Sequence, residues 1–286
     1  MKNIEYEYRN LPIPGGGYVT GFLFDQDREK VLYIRTDIGG CYRFSYENRH
    51  WDSLSESVNM FDLSETYPIA IATDLQKAET LYVISGINKE GTEGTFSISH
   101  DGGKTYTREI IPCFVHGNLN GRGTGYRLVQ NPKDKTTLYF ASQKDGLLWT
   151  GDHGKTWEKT DICGEKYLTN VWCAPDGRTL VVGTAGITTG TKECRGHSLY
   201  VSYDAGAHFE PLMEPENISI PESKWNGYVA HRYDYDGTYL YYTMNYTGAH
   251  SYIVDMGYSC DCGDHFYQIS EPLCEGTVLG LIDCAN

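Results

Sequence analysis

The octapeptide Ser99-His-Asp-Gly-Gly-Lys-Thr-Tyr106 sets a pattern, Ser/Thr-x-Asp-x-Gly-x-x-aromatic, that returns three more times along the chain. The Asp positions of the successive copies are separated by 51, 52 and 57 residues. An Asp carboxylate accepts hydrogen bonds from backbone amides within a tight turn, and a Gly two places later allows a left-handed backbone without a Cβ clash. Each copy is therefore predicted to be a hairpin turn closed by a packed aromatic side chain. The aspartates of the pattern, which we interpret as structural, are Asp101, Asp152, Asp204 and Asp261.

Runs of β-forming residues lie upstream of each turn. They are Thr80–Ser85, Thr137–Ser142, Thr179–Gly183 and Thr238–Thr243, and an earlier run, Val31–Arg35, precedes a degenerate turn that ends at Trp51. Short strands, Gly/Asp turns and a unit of about fifty residues are typical of a four-stranded blade that is repeated radially. The sequence therefore predicts an all-β protein, a β-propeller of four-stranded blades with Asp-box turns. A β-sandwich is the alternative, but that fold does not require this long-range register.

Aromatic residues close the repeat units and so allow the blades to be counted. The closing residues are Trp51, Tyr106, Trp157, Phe209 and Phe266, and a further unit begins at Gly276–Ile282. We expect a single propeller domain over residues 1–286, with about five full blades and the start of a sixth. A ring that is cut inside a blade leaves an exposed strand edge. Either the N-terminal strand completes the last blade, or the chain is a piece of a longer protein, which is the interpretation we prefer.

Composition argues against several classes of protein. The net charge of −14 disfavours a nucleic-acid partner, because a phosphate backbone would be repelled. The 9 Cys residues form no C-x-x-C pair and have no His at zinc-like spacing, so we expect reduced, mostly buried thiols and no metal or other cofactor. No apolar run reaches the roughly 18 residues of a membrane span, and the N-terminus lacks the apolar core of a signal peptide. As written, the sequence predicts a cytoplasmic protein without a membrane partner, although a secreted chain whose leader has been removed would look the same.

Stretches outside the turns carry a resemblance to a known family. One is Pro14–Phe24 followed by Leu32–Arg43, which contains Arg35-Thr-Asp-Ile-Gly-Gly40; another is Gly117–Pro132, and Ala230-His231 fits a later blade. Together these stretches resemble the opening propeller of the xyloglucanases of glycoside hydrolase family 74. The resemblance covers most of the chain, and the Arg-Thr-Asp-Ile-Gly-Gly stretch is its most specific part.

The resemblance implies a fold of two seven-bladed propellers that face each other across an open cleft. This chain would be an incomplete first propeller, and a second propeller domain would be its partner. The cleft of the family holds a β-1,4-glucan decorated with xylose, and its members hydrolyse the backbone with inversion. By similarity, Asp37 is the general base that activates water, whereas the general acid lies in the second propeller, outside this chain. The alternative for Asp37 is a turn cap, since Asp commonly caps turns next to glycine.

Further residues near the matching stretches are candidates for contact with a sugar. The arginines could hold cleft carboxylates or bond sugar hydroxyls, and a structural salt bridge is the alternative for each of them. A packed core histidine is the alternative for His231, and packing is the alternative for Trp172. The candidate substrate-binding residues are Tyr18, Arg35, Asn118, Arg122, Arg127, Trp172 and His231.

The sequence departs from the family in ways that bear on the ligand. The segment Ser53–Pro68 is shorter than in typical members and lacks a tryptophan-bearing loop, and Tyr126 stands where a glutamate is usual. Aromatic platforms commonly grip the apolar face of a sugar, so these departures imply a different or shorter ligand. The leading hypothesis is an inverting β-glucanase of the xyloglucanase type. Its rivals are a non-catalytic Asp-box propeller that binds carbohydrate or protein, and a purely structural interaction propeller.

Overall fold

The structure is a computed structural model. It describes residues 13, 15–25, 31–59, 62, 64–87, 93–119, 122–123, 126–187, 193–194, 199–213, 218–219, 228–235, 240–247, 251–259 and 267–268. Side chains are described within these ranges up to residue 184 and again at 199–211. From residue 212 onward the description is confined to the backbone of the strands. The predicted start of a sixth unit at Gly276–Ile282 lies outside the described residues.

Every regular element in the described ranges is a β-strand, and most strands form antiparallel groups of four that we call blades. Blade 1 contains β1 (Val19–Phe24), β2 (Val31–Thr36), β3 (Cys41–Ser45) and β4 (His50–Ser53). Blade 2 contains β5 (Pro68–Thr73), β6 (Leu81–Ser85), β7 (Gly94–Ser99) and β8 (Thr107–Ile111). Blade 3 contains β9 (Leu128–Gln130), β10 (Leu138–Ala141), β11 (Leu147–Thr150) and β12 (Glu158–Thr160).

The later strands continue the same order. Blade 4 contains β13 (Leu168–Cys173), β14 (Leu180–Ile187), β16 (Leu199–Ser202) and β17 (Glu210–Met213). Blade 5 contains β19 (Tyr228–Tyr235), β20 (Leu240–Thr247), β21 (Ser251–Ser259) and β22 (Tyr267–Gln268). Two short strands, β15 (Glu193–Cys194) and β18 (Ile218–Ser219), pair with each other. The predicted all-β class and the four-stranded blades are confirmed, whereas the number of blades in the complete ring stays a prediction.

The runs predicted from β-forming residues become the second strand of each blade. They correspond to β2, β6, β10, β14 and β20. Every residue of β6 is buried, and so is every residue of β10. Such strands pack against neighbours on both faces, which explains why they are almost continuously apolar. The fourth strand is different, because β8 at the outer edge of blade 2 exposes most of its side chains.

Blades 4 and 5 are not separate sheets. The eight-residue strand β14 extends beyond its pairing with β16, and its last residues pair with β19 through Ala185 opposite Ala230. The two blades therefore form one 8-stranded sheet, whereas each of the first three blades is a 4-stranded sheet of its own. This continuity departs from the expectation of separate blades. It arises because the far end of β14 presents unpaired backbone groups that β19 satisfies.

The Asp residues of the repeated pattern lie in the turns between the third and fourth strands. In blade 2, Asp101 Oδ1 accepts hydrogen bonds from the Thr105 amide at 2.9 Å and from the Ser99 hydroxyl at 2.8 Å. The Ser99 hydroxyl oxygen in turn accepts from the Gly103 amide at 2.8 Å. Asp152 and Asp204 make the same set of contacts in blades 3 and 4. These contacts fit the structural interpretation of the three aspartates, and Asp261 lies outside the described residues.

Strand direction assigns the loops to two opposite faces of the propeller. Each Asp turn lies beside the first hairpin of its own blade, as shown by the Gly102 amide, which donates to the Glu79 carbonyl at 2.8 Å. We call this the turn face. The loops between the second and third strands lie at the other end of each blade, beside the connections between blades. The loop carbonyl of Gly86 accepts from the Gly117 amide at 2.9 Å, and the loop carbonyl of Ser142 accepts from the Leu168 amide at 3.1 Å. We call this second end the loop face.

Each turn also packs against the preceding blade. A Cβ on Gly154, whose φ is 88°, would overlap the buried ring of Phe96 in blade 2. Trp157 closes the same turn and meets Phe96 edge-to-face at a centroid distance of 5.2 Å. In the next pair of blades, the hydroxyl of Tyr139 donates to the Ala205 carbonyl at 2.9 Å. The glycine and the closing aromatic of the motif are thus needed for contact between blades as well as for the turn.

The structure describes the side chains of four cysteines. Within the described side chains, no cysteine forms a disulfide; Cys41, Cys113 and Cys173 are buried and Cys163 is exposed. Burial raises the pKa of Cys41 and of Cys173 to about 12. No helix in the described ranges has the length and apolar character needed to cross a bilayer.

Acid should weaken the propeller through its turn aspartates. Hydrogen bonds from Thr105, Thr156 and His208 lower the pKa values of Asp101, Asp152 and Asp204, that of Asp152 to about 2. A carboxyl whose pKa is depressed by folding stabilises the protein above its unfolded pKa of about 3.9, and this contribution is lost as the pH falls through the folded pKa.

We expect the urea midpoint to fall between about pH 4 and pH 2. The matched control replaces all three aspartates by asparagine, which occupies the same volume but does not titrate. This variant should show a shallower pH dependence over that range. An identical pH dependence in both proteins would contradict a role for these carboxylates in acid unfolding.

Candidate functional site

Asp37 begins the turn between β2 and β3 and therefore lies on the loop face, opposite the Asp turns of the repeat. Its amide donates to the Tyr18 carbonyl at 3.0 Å, and its carboxylate Oδ1 accepts from the Tyr18 amide at 2.7 Å. The side chain of Asp37 is 12% exposed. A Cβ on Gly39 would overlap the Gly16 carbonyl oxygen, so glycine is required where the turn meets the segment before β1.

The contacts of Asp37 disfavour a role as the cap of its own turn. The Gly39 amide donates to the Thr36 hydroxyl at 2.8 Å, so Thr36 performs the local capping. The Asp37 carboxylate instead contacts Tyr18 and Arg122, which come from other segments of the chain. A carboxylate that is held from outside its turn is placed by the tertiary structure. The described contacts therefore do not support Asp37 as the cap of its own turn.

Arg122 reaches Asp37 from the connection between blades 2 and 3. Its Nε lies 3.4 Å from Asp37 Oδ2, which is an ion pair rather than a close hydrogen bond. Its guanidinium carbon lies 5.7 Å from the centroid of the Tyr18 ring, within the range of a cation–π contact. Tyr18, Asp37 and Arg122 therefore form one cluster, whereas their roles in binding or catalysis stay predictions.

Arg35 contacts the backbone of Arg122, a member of this cluster. Its side chain is buried, and Nη1 donates to the Thr20 hydroxyl at 2.7 Å and to the Arg122 carbonyl at 2.8 Å. Gly21 makes room for it, since a Cβ there would lie 2.7 Å from the Arg35 Nε. Arg35 thus fixes the connection that carries Arg122. Its donors are directed at the protein, which fits the structural alternative better than contact with a sugar.

Arg127 lies outside the candidate site. Only 2% of this residue is exposed, and Nη1 donates to the Ala141 carbonyl at 2.9 Å and to the Leu168 carbonyl at 2.7 Å. These bonds tie blade 3 to the first strand of blade 4. A guanidinium buried among backbone carbonyls is a structural group, so the prediction that Arg127 binds substrate does not fit its position.

The remaining candidates are spread along the loop face and the later blades. Asn118 is exposed on the connection that carries Arg122, and its amide donates to His116 Nδ1 at 3.3 Å. Trp172 is half-buried on β13, opposite Val181 of β14. His231 lies on β19 opposite Met244, and its side chain is outside the described residues. Contact of these three residues with a ligand stays a prediction.

Other carboxylates of the loop face are engaged elsewhere. Glu65 pairs with Arg108 Nε at 2.9 Å, and Asp145 pairs with Lys159 Nζ at 2.9 Å. Burial raises the pKa of Glu165. Among the described side chains, no group of three or more His, Cys, Asp or Glu residues is arranged to hold a metal ion. Asp37 differs from Glu65 and Asp145 in that its carboxylate also accepts a backbone hydrogen bond from the segment before β1.

Comparison with known proteins finds curated relatives that are named as xyloglucanases. No family model matches the chain. A xyloglucanase from Paenibacillus sp is 35% identical over 159 residues, which are 54% of this chain and 16% of that protein. A probable oligoxyloglucan-reducing end-specific xyloglucanase from Neosartorya fischeri is 29% identical over 215 residues, covering 72% of this chain and 25% of that protein. The chain therefore spans a quarter or less of the length of these curated relatives.

Solved structures show the fold. The glycoside hydrolase family 74 xyloglucanase from Xanthomonas campestris superposes with a TM-score of 0.70 at 23% identity, covering 93% of this chain and 39% of that one. The family 74 enzyme from Niastella koreensis gives a TM-score of 0.70 at 24% identity, covering 91% of this chain and 38% of that one. The chain is a β-propeller similar to those of the xyloglucanases of glycoside hydrolase family 74.

Proposed function

We propose that this chain is the base-bearing propeller of an inverting glycosidase that cleaves the β-1,4-glucan backbone of xyloglucan-type polysaccharides or oligosaccharides. Asp37 is the general base, and the general acid is supplied from outside this chain by a second propeller. The observation that supports this proposal best is the position of the Asp37 carboxylate. The Thr36 hydroxyl, not Asp37, caps the turn, and Asp37 is held on the loop face by Tyr18 and Arg122. The similarity to xyloglucanases supports the substrate class.

The geometry suits a base that acts through water. Among the described residues, Asp37 Oδ1 has one contact, with the Tyr18 amide, and Oδ2 has one, with the Arg122 guanidinium. A carboxylate oxygen offers two acceptor sites, so each retains one for the attacking water. The water attacks the anomeric carbon on the face opposite the leaving oxygen, and Asp37 accepts a proton from that water. Inverting enzymes hold the proton donor about 6.5–9.5 Å from the base, which leaves room for this water.

Binding by the chain alone tests the substrate class. We expect calorimetric titration to show saturable binding of xyloglucan oligosaccharides and of cellohexaose, and much weaker binding of mannohexaose. Absence of glucan binding would overturn the proposal. A non-catalytic carbohydrate-binding propeller predicts the same titration but no turnover of any glucoside, so hydrolysis separates it from the proposed function. A purely structural propeller predicts no sugar binding at all.

To measure hydrolysis by a chain without its general acid, the substrate needs a leaving group that departs without protonation. A dinitrophenyl β-cellotrioside has a leaving group that departs without protonation, so the missing acid is not needed. The chain should therefore release dinitrophenol while leaving ordinary glycosidic bonds almost uncleaved. Rapid release of reducing ends from xyloglucan by the chain alone would contradict the assignment of the acid to another domain.

Replacement of Arg122 should disturb the position of Asp37. We expect Arg122→Gln to lower the turnover of the dinitrophenyl substrate by about 10²-fold, because a base displaced by about 1 Å loses its alignment with the water. Arg122→Lys should recover part of the loss, since it keeps a charge but not the planar guanidinium. The matched control is Arg178→Gln on the turn face, which should leave turnover unchanged. Equal turnover in Arg122→Gln and the wild type would remove Arg122 from the site.

A further inference from the structure

A small pit opens on the loop face between blades 1 and 2, and Ile38, the residue after Asp37, lines it. Its lining includes Ile38, Val58, Thr66 and Tyr67, and its volume is about 20 Å³. That volume accommodates roughly one water molecule. A sugar ring is too large to enter the pit and could only lie across its mouth, where the apolar side chains of the lining would meet it.

Ile38 presents an apolar surface next to the proposed base. It follows Asp37 directly in the chain and is 48% exposed. Its Cγ1 lies against Gly17, since a Cβ there would be 3.1 Å from that atom, and Gly17 has a φ of 102°. The isoleucine is therefore packed on one side and open on the other. A single exposed isoleucine is ordinary on a protein surface, so the case for a role of Ile38 depends on the other residues that line the pit.

Tyr67, which lines the same pit, has an unusual backbone. Its φ is 62°, a left-handed conformation that is a genuine outlier for a bulky residue. The conformation is held in place: the Gly86 amide donates to the Tyr67 carbonyl at 3.3 Å, and a Cβ on Gly117 would overlap that same carbonyl oxygen. Glycine or asparagine would occupy this position with less strain. Strained backbones of this kind cluster at sites where the side chain has a function.

We propose that Tyr67 and Ile38 form a platform for one sugar unit of the bound glucan, in the subsite that adjoins Asp37. A β-linked glucose unit carries its hydroxyls at the ring edge and exposes two faces of C–H groups. An aromatic ring with a polar tip suits such a surface, since the ring covers the C–H face and the hydroxyl can bond at the edge. Ile38 extends the apolar contact towards Asp37. This inference rests on the proposed function, because it assumes that a glucan passes over Asp37.

The test compares variants of Tyr67 by affinity for cellohexaose and by melting temperature. Tyr67→Asn removes the ring but tolerates the left-handed backbone, and Tyr67→Phe keeps the ring. We expect Tyr67→Asn to bind about tenfold more weakly, as the loss of an aromatic contact implies. Its melting temperature should be unchanged or higher, because strain is relieved. Tyr67→Phe should bind within about threefold of the wild type.

The outcomes separate this inference from the proposed function. If the wild type binds and Tyr67→Asn binds equally well, the platform is overturned while the proposed function stands. If the wild type does not bind, both are overturned. A lower melting temperature with unchanged affinity would assign the ring to packing and also overturn the platform. Should Tyr67→Asn fail to fold, Ile38→Ser decides: weaker binding at an unchanged melting temperature supports the platform, and unchanged binding overturns it.

Discussion

Asp37→Asn should lower the turnover of dinitrophenyl β-cellotrioside by about 10²–10⁴-fold, the usual contribution of a positioned general base. Asparagine keeps the shape of the side chain and its hydrogen bond from the Tyr18 amide, but it does not accept a proton from water. Affinity for cellohexaose should change little, because a general base acts on the water in the transition state. The measurement is the initial rate of dinitrophenol release, together with a calorimetric titration of the same protein.

The control for this substitution is Asp161→Asn. Asp161 is an exposed carboxylate in the connection between blades 3 and 4, where it accepts from the Gly164 amide at 3.0 Å. It shares the loop face with Asp37 but has no part in the proposed reaction, so its removal should leave the rate unchanged. If Asp37→Asn turns over at the wild-type rate, Asp37 is not the base.

Phe96→Ala should destabilise the propeller by about 3–5 kcal/mol, the range found for loss of a fully buried aromatic side chain. Phe96 is 0% exposed between blades 2 and 3. It stacks on Tyr82 at a centroid distance of 5.9 Å and meets Trp157 at 5.2 Å. Its removal leaves a cavity that Gly154, packed against the ring, has no side chain to fill. Urea denaturation followed by tryptophan fluorescence measures the change in the free energy of unfolding.

Ile110→Ala provides the control for Phe96→Ala. Ile110 is 64% exposed on the outer strand β8 of the same blade. Its truncation should change the free energy of unfolding by no more than about 0.5 kcal/mol. A loss below about 1 kcal/mol in Phe96→Ala would mean that the blades pack less tightly at this interface than the structure indicates.

Sequence predicted the parts of the fold that depend on neighbours in the chain. The side-chain contacts of the turn at Asp101 are specified within eight residues, because the hydrogen-bond partners of Ser99 and Asp101 lie between Ser99 and Thr105. The second strands were recognisable because burial on both faces requires continuous apolar runs. Asp37 was found through the resemblance of its flanking residues, since an Asp before two glycines is by itself equally typical of a turn cap.

What sequence missed depends on contacts between distant segments. The continuity of blades 4 and 5 arises from the far end of β14, whose pairing with β19 has no local signal. The sequence predicts Arg127 as a ligand-binding residue, yet its guanidinium donates to the carbonyls of Ala141 and Leu168, which are separated from each other along the chain. The φ of Tyr67 is set by Gly86 and Gly117. The residue types around Tyr67 do not predict its positive φ.

The stereochemistry of the reaction tests the central claim most directly. Proton NMR can follow the first product of dinitrophenyl β-cellotrioside hydrolysis by the wild-type chain before mutarotation mixes the anomers. A base that activates water in a single displacement gives the α-anomer first. We expect that result for the wild-type chain and loss of the signal in Asp37→Asn. Initial formation of the β-anomer would show a covalent glycosyl intermediate and would contradict Asp37 as the base of an inverting enzyme.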